Sequence, residues 1–155
     1  MLIPSDYKEL LSILSKHRVR YLIVGAYAVS YYSEPRYTKD LDIWIEPERT
    51  NAQKVYEALR EFKAPLKGIA IEDFMNPNLV YQIGIAPVRV DIMMGIPSID
   101  FGYAWKHRRK ALFENIRVNI IGIDDLIKSK VKAKRDLDLR DIDMLKLRLK
   151  LRRRR

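Results

Sequence analysis

Asp40 and Asp42 sit two apart in the run Asp40-Leu-Asp-Ile-Trp-Ile45, which otherwise has the apolar, β-branched make-up of a buried strand. A strand sends residues i and i+2 to the same face. The two carboxylates therefore stand side by side, while Leu41, Ile43 and Ile45 turn to the opposite face and the core. Neighbouring carboxylates repel unless a cation lies between them. Hard oxygen donors on a rigid strand suit Mg²⁺ or Mn²⁺, and the chemistry this predicts is metal-assisted phosphoryl or nucleotidyl transfer.

Asp-x-Asp also occurs at 136/138 and 141/143. Those two pairs fall in a charge-rich, helical-looking segment, where solvated surface is the simpler reading. Context separates 40/42 from them: a glycine turn at Gly25 upstream, and a second acidic strand downstream. In that later strand Val88, Val90 and Ile92 alternate with Arg89, Asp91 and Met93, so Asp91 projects from one face while its neighbours pack.

The element pattern reads as helix 5–17, strand 21–24, a turn at Gly25, helix 26–33 and strand 40–45. An amphipathic helix at 48–62 follows, then a short helical turn within 69–77. Strands 79–85 and 88–93 are joined by a turn at Ala86-Pro87. A loop at 95–103, a basic helix at 104–112, a strand at 117–121 and two helices over 124–132 and 138–150 complete the order. Ser5 is the expected cap of the first helix. The succession implies an α+β (α/β-like) fold with a mixed β-sheet flanked by helices and further helices at the C-terminus. Residues 1–122 form the expected catalytic core. Residues 123–155 form a basic helical segment packed on it, ending in a disordered tail.

At 155 residues the chain can bury a real core. No run approaches the length of a membrane span, no secretory leader is evident, and the absence of cysteine excludes disulfides and thiol nucleophiles. A cytoplasmic location is expected. Charge is unevenly distributed: residues 1–105 carry 12 Lys and Arg against 13 Asp and Glu, residues 106–155 carry 18 against 7. All of the net +10 thus lies in the last third, which points to a polyanionic partner such as RNA. Residues 146–155 alternate leucine with basic residues and leave no clean apolar face in a helix, so they add little to the core. His17 and His107 lack partners at ligand spacing and read as surface or helix-end residues.

Val24-Gly25-Ala26-Tyr27-Ala28, then Pro35-Arg36-Tyr37-Thr38-Lys39-Asp40-Leu41-Asp42, then Val90-Asp91 form a spaced set. This set resembles the nucleotidyltransferase superfamily that includes DNA polymerase β, kanamycin nucleotidyltransferase and the minimal nucleotidyltransferases. Within it, the small branch related to AbiEii-type toxins has a first motif reading VGG-x-A…PR-x-T-K-D-x-D. Its C-terminal helix pair is matched by Asp125-Leu126, Lys130, Ala133, Arg135, Asp138 and Asp141. The resemblance spans roughly residues 20–145.

The resemblance implies that Asp40, Asp42 and Asp91 are both catalytic residues and metal ligands, holding Mg²⁺ or Mn²⁺ against the phosphates of an NTP such as ATP. Two cations clamping the entering and leaving oxygens leave little covalent work to the protein. Gly25 and Ala26 would offer backbone N–H groups to the triphosphate at a helix N-terminus. Ala26 stands where the superfamily has Gly or Ser; it keeps the N–H but lacks the serine hydroxyl. Arg36, Thr38, Lys39, Lys130 and Arg135 would complete the nucleotide site. Arg36 is equally suited to orienting Asp40 or Asp42, and Thr38 to ordering the loop before the strand. The implied activity moves NMP from NTP to an acceptor hydroxyl, in a toxin-type enzyme with a cognate antitoxin protein; the basic last third favours an RNA or tRNA 3′ end, with a protein side chain or a small molecule as the other acceptors. A non-catalytic nucleic-acid-binding or toxin–antitoxin interaction module on the same fold is the alternative. A metal-dependent nuclease would use similar carboxylates but leaves the Gly25 turn unexplained.

Overall fold

Residues 4–34, 40–85, 88–133 and 145–147 are described in the computed structural model of the chain. Helix α1 (Ser5–Lys16) presents Tyr7, Leu10, Leu11, Ile13 and Leu14 to the core. Its N-cap is Pro4, one residue before the expected Ser5, and the Pro4 carbonyl accepts from the Tyr7 and Lys8 amides. Strand β1 (Tyr21–Val24) is buried along its whole length and runs directly into α2 (Gly25–Tyr32). Strand β2 (Asp40–Ile45) follows, then α3 (Arg49–Phe62), which buries Ala52, Val55, Ala58 and Leu59. The Glu48 carboxylate caps α3 through the Thr50 and Asn51 amides, and Lys63 ends it in the left-handed conformation.

A 3₁₀ turn at Ile71–Met75 leads to strands β3 (Val80–Ile85) and β4 (Val88–Met93). The remaining described elements are α4 (Phe101–Lys106), β5 (Arg109–Phe113), β6 (Ile116–Ile120) and α5 (Ile123–Ala133). The six strands form one mixed sheet in the order β3-β4-β2-β1-β6-β5. Strand β2 lies inside it, antiparallel to β1 and parallel to β4, and β1 is parallel to β6.

Burial along β2 places the site. Leu41, Ile43 and Ile45 are buried as their alternation requires, yet Trp44, on the face of Asp40 and Asp42, is buried too, edge-on to Phe101 at 5.0 Å. That face is therefore closed toward the C-terminal end of β2 and open only where the aspartates stand. Among the described residues no helix is long and apolar enough to cross a membrane.

One expected element is different. Residues 104–112 do not form a basic helix: α4 ends at Lys106, and Arg109–Phe113 is a strand paired antiparallel with β6. Local helix propensity loses to cross-strand pairing through a two-residue turn, Glu114-Asn115, in which Glu114 adopts φ 56°. The expected helix over 138–150 lies outside the described residues except for 145–147, which are helical, with Leu145 fully buried.

Candidate active site

The parallel pairing of β2 with β4 sets Asp40 opposite Arg89 and Asp42 opposite Asp91. Paired residues on neighbouring strands share a face, so Asp40, Asp42, Arg89 and Asp91 form a two-by-two block on one side of the sheet. Arg89 Nη2 donates to Asp40 Oδ2 at 3.0 Å and to Asp91 Oδ2 at 3.2 Å, bridging the diagonal of the block. Tyr7 pins the backbone beneath that bridge: its hydroxyl donates to the Arg89 carbonyl at 2.9 Å and accepts from the Arg89 amide at 3.0 Å.

Asp42 lies at the tightest point. Burial, then the Asp91 carboxylate, then that of Asp40, push its carboxyl up to about 7, against the opposing pull of Arg89 and Lys130. Antiparallel pairing also sets Asp42 opposite Val24, one residue before α2 begins. Gly25 has φ +65°, and a Cβ there would overlap Asp42 Oδ2. Glycine is thus required twice, by the left-handed backbone and by the carboxylate packed against it.

The block floors an open cavity of about 390 Å³, walled by Val24 and Gly25 on one side and by Leu126, Ser129 and Lys130 of α5 on another. Ala26 does not line it. Arg36, Thr38, Lys39 and Arg135, with Asp138 and Asp141, lie outside the described residues. The structure thus brings together Gly25, Asp40, Asp42, Asp91 and Lys130. It adds Arg89, which the sequence reading had treated only as part of a strand alternation. The signal was present: Arg89 is at i−2 from Asp91 on the same strand, hence on the same face.

Among the described residues no three acidic or histidine side chains stand ready at common metal-ligand spacing, and Arg89 holds the diagonal between Asp40 and Asp91. Asp91 Oδ1, however, is buried with no hydrogen-bond partner, and Asp42 resists ionisation beside two other carboxylates. Three oxygen donors on one face, one of them an orphaned acceptor, are short of positive charge. They fit Mg²⁺ or Mn²⁺ with Asp40, Asp42 and Asp91 as ligands, provided Arg89 yields the diagonal.

His17 is the C-cap of α1 and reaches Glu61 at 3.1 Å, and His107 is the C-cap of α4. Neither lines the cavity over the block.

Solved structures share this architecture. A Thermotoga maritima protein assigned to the nucleotidyltransferases superposes with a TM-score of 0.59 at 14% identity, covering 99% of this chain and 97% of its own. The lincosamide antibiotic adenylyltransferase LnuA, solved with lincomycin bound, gives 0.60 at 12% identity, covering 94% and 97%. ANT(2″)-Ia in complex with adenylyl-2″-tobramycin gives 0.61 at 11% identity, covering 92% and 87%. Such identities speak for the fold, and the fold is that of the nucleotidyltransferases. Residues 3–151 match the family described as "Nucleotidyltransferase of unknown function (DUF6036)", and the chain belongs to that family. No curated protein matches it by sequence.

Proposed function

We propose that the protein is a metal-dependent nucleotidyltransferase moving NMP from an NTP, ATP included, to an acceptor hydroxyl. The observation that carries this is the pairing of Asp42 with Asp91 beside Asp40, which gathers three carboxylates on the floor of a cavity whose wall is Gly25. Held by Asp40, Asp42 and Asp91, Mg²⁺ or Mn²⁺ would neutralise the triphosphate and polarise its α-phosphorus. Gly25 lets the triphosphate approach the start of α2, where backbone N–H groups face it. Lys130 and a displaced Arg89 supply positive charge to the departing phosphates. Asp91 takes the proton of the attacking hydroxyl. The acceptor oxygen–Pα bond forms as the Pα–O bond to the β-phosphate breaks, and pyrophosphate leaves. Arg36, Thr38, Lys39 and Arg135 belong to this proposal on the strength of the motif alone, as does the division into a core (1–122) and a basic C-terminal segment (123–155).

For the acceptor we favour an RNA 3′ end, supported by the excess of 18 basic over 7 acidic residues in 106–155. The likeness of the first motif to the AbiEii-related branch supports a toxin-type role with an antitoxin partner. A second reading, transfer to a small-molecule hydroxyl, is favoured by two neighbours of similar fold, one solved with lincomycin and one with adenylyl-2″-tobramycin.

The test is incubation with each α-labelled NTP, Mg²⁺ or Mn²⁺, and total RNA or cell extract. Label in RNA with release of pyrophosphate, lost in Asp42→Asn, is the expected result. Label in the small-molecule fraction selects the second reading. No transfer with any NTP, together with no rise in melting temperature on adding Mn²⁺, overturns the enzyme reading in favour of the non-catalytic module.

A further inference from the structure

A second concave surface lies at the other end of the sheet. Strand β1 begins at Tyr21 and runs into Gly25 at the carboxylates; Tyr21 itself lines a cavity of about 360 Å³ with Arg18, Arg20, Arg108, Lys110 and Trp105. A larger cavity of about 710 Å³ adjoins it along the β5–β6 hairpin and contributes Arg117. The two share Ser15, Lys110 and Asn119 in their walls, so they form one groove. Cross-strand pairing of Lys110 with Asn119 and of Leu112 with Arg117 sets both cations on the same face of the hairpin. Among the described residues, five basic ones line the groove and no acidic one does.

The cations are held ready for an anion. Arg20 has Glu46 at 3.6 Å, but Arg18, Arg108, Lys110 and Arg117 have no ion-pair partner among the described residues. Arg108 lies 3.9 Å over the Trp105 ring and donates through Nη1 to the Trp105 carbonyl at 2.9 Å, which fixes its guanidinium plane. Its Nε is buried with no hydrogen-bond partner. Arg18 occupies the position after the α1 C-cap with φ 57°, where glycine fits best, so the chain accepts backbone strain to put a cation there.

We propose that this groove binds the phosphate backbone of single-stranded RNA. Arg18, Arg108, Lys110 and Arg117, with Tyr31 in the wall beside them and the Trp105 ring holding Arg108 in place, match the phosphate-tracking grooves used for single strands. An acidic protein segment would need apolar anchors in the groove, and Leu112 is the one large exposed apolar side chain lining it. The choice of RNA among polyanions rests on the acceptor reading above, whereas the groove itself is read out by binding alone.

The test is fluorescence anisotropy of the full-length protein with a labelled single-stranded RNA of about twelve nucleotides, in EDTA, over a range of salt. Lys110→Gln with Arg117→Gln should weaken binding about tenfold or more and reduce the log–log salt slope by about 1.4. Arg18→Gly should weaken binding while its melting temperature stays level or rises, separating loss of contact from loss of fold. Wild-type affinity in the groove variants overturns the proposal, as does loss confined to Arg152→Gln through Arg155→Gln, or competition by polyglutamate equal to that by RNA. If the groove binds RNA but no label enters RNA in the transfer assay, the acceptor reading fails and the groove stands. If label enters RNA with the groove variants binding normally, the reverse holds.

Discussion

Asp42 is more easily protonated in the folded chain than in the unfolded one, because its ordinary value of 3.8 is pushed up to about 7. Between those two values the folded state holds the extra proton. Without metal, the stability associated with Asp42 therefore declines as pH rises from about 4 to about 7, and the full penalty applies above 7. At about 1.4 kcal/mol per pH unit, the rise from 3.8 to about 7 makes the penalty at pH 8 on the order of 4 kcal/mol. Asp42→Asn does not ionise, so in EDTA it should melt several degrees above wild type at pH 8 and close to wild type at pH 4. The same substitution should lower transfer by about two orders of magnitude or more, a combination that a merely structural aspartate would not produce. Gly25→Ala tests the neighbouring constraint. A left-handed alanine costs about 1–2 kcal/mol before its methyl meets the Asp42 carboxylate. A lower denaturation midpoint and loss of metal-induced stabilisation are expected together; a variant as stable as wild type would mean that the carboxylate moves aside freely.

At the scale of elements, the site depends on how β1, β2 and α3 are tied. Asn51 is 3% exposed in the first turn of α3, and its side chain accepts from the Arg20 amide at 2.8 Å. It also donates to the Arg20 and Glu46 carbonyls at 3.1 and 2.9 Å, joining the entry of β1 to the exit of β2. Asn51→Leu removes all three bonds and leaves the part-buried Arg20 amide and Glu46 carbonyl without this partner, while the Arg20 carbonyl keeps the Glu46 amide; the change should cost about 1–3 kcal/mol in urea unfolding. A loss below about 1 kcal/mol would show that water replaces the amide. The hairpin β5–β6 illustrates why one element was misread. Arg109-Lys-Ala-Leu-Phe113 has only Phe113 fully buried, so its composition favours neither period, and partner strand β6 decides.

For the molecule as a whole, the basic last third gives Arg108, Lys110 and Arg117 to the groove, Lys130 to the carboxylate cavity and seven further Lys and Arg to residues 146–155. Leu145 is fully buried while Leu147 is 60% exposed, so these two leucines do not share a packing face. Leu145→Ala should lower stability by about 2–4 kcal/mol. Deleting 148–155 should leave the melting temperature within a degree or two of wild type while reducing affinity for RNA at low salt. Unfolding of the truncated chain would reassign those leucines to the core.

Strand alternation alone determined that Asp40 and Asp42 share a face, and the same period-two rule determined that Asp91 stands apart from its packed neighbours. The α+β order and the turn at Gly25 were legible for the same reason, each being written in local spacing, whereas the nucleotidyltransferase fold was legible only through the resemblance of the spaced motifs to a known family. The meeting of Asp42 with Asp91 was not, because register between strands almost fifty residues apart is chosen by the sheet and not by either strand. Nor was Arg89 as the bridge between Asp40 and Asp91, or the need for glycine at 25 on account of Asp42 Oδ2. The basic groove likewise draws on α1, β1, α4 and the β5–β6 hairpin, and the hairpin itself was invisible to helix propensity. Spacing along the chain encodes which way a side chain points; only tertiary pairing decides what it points at.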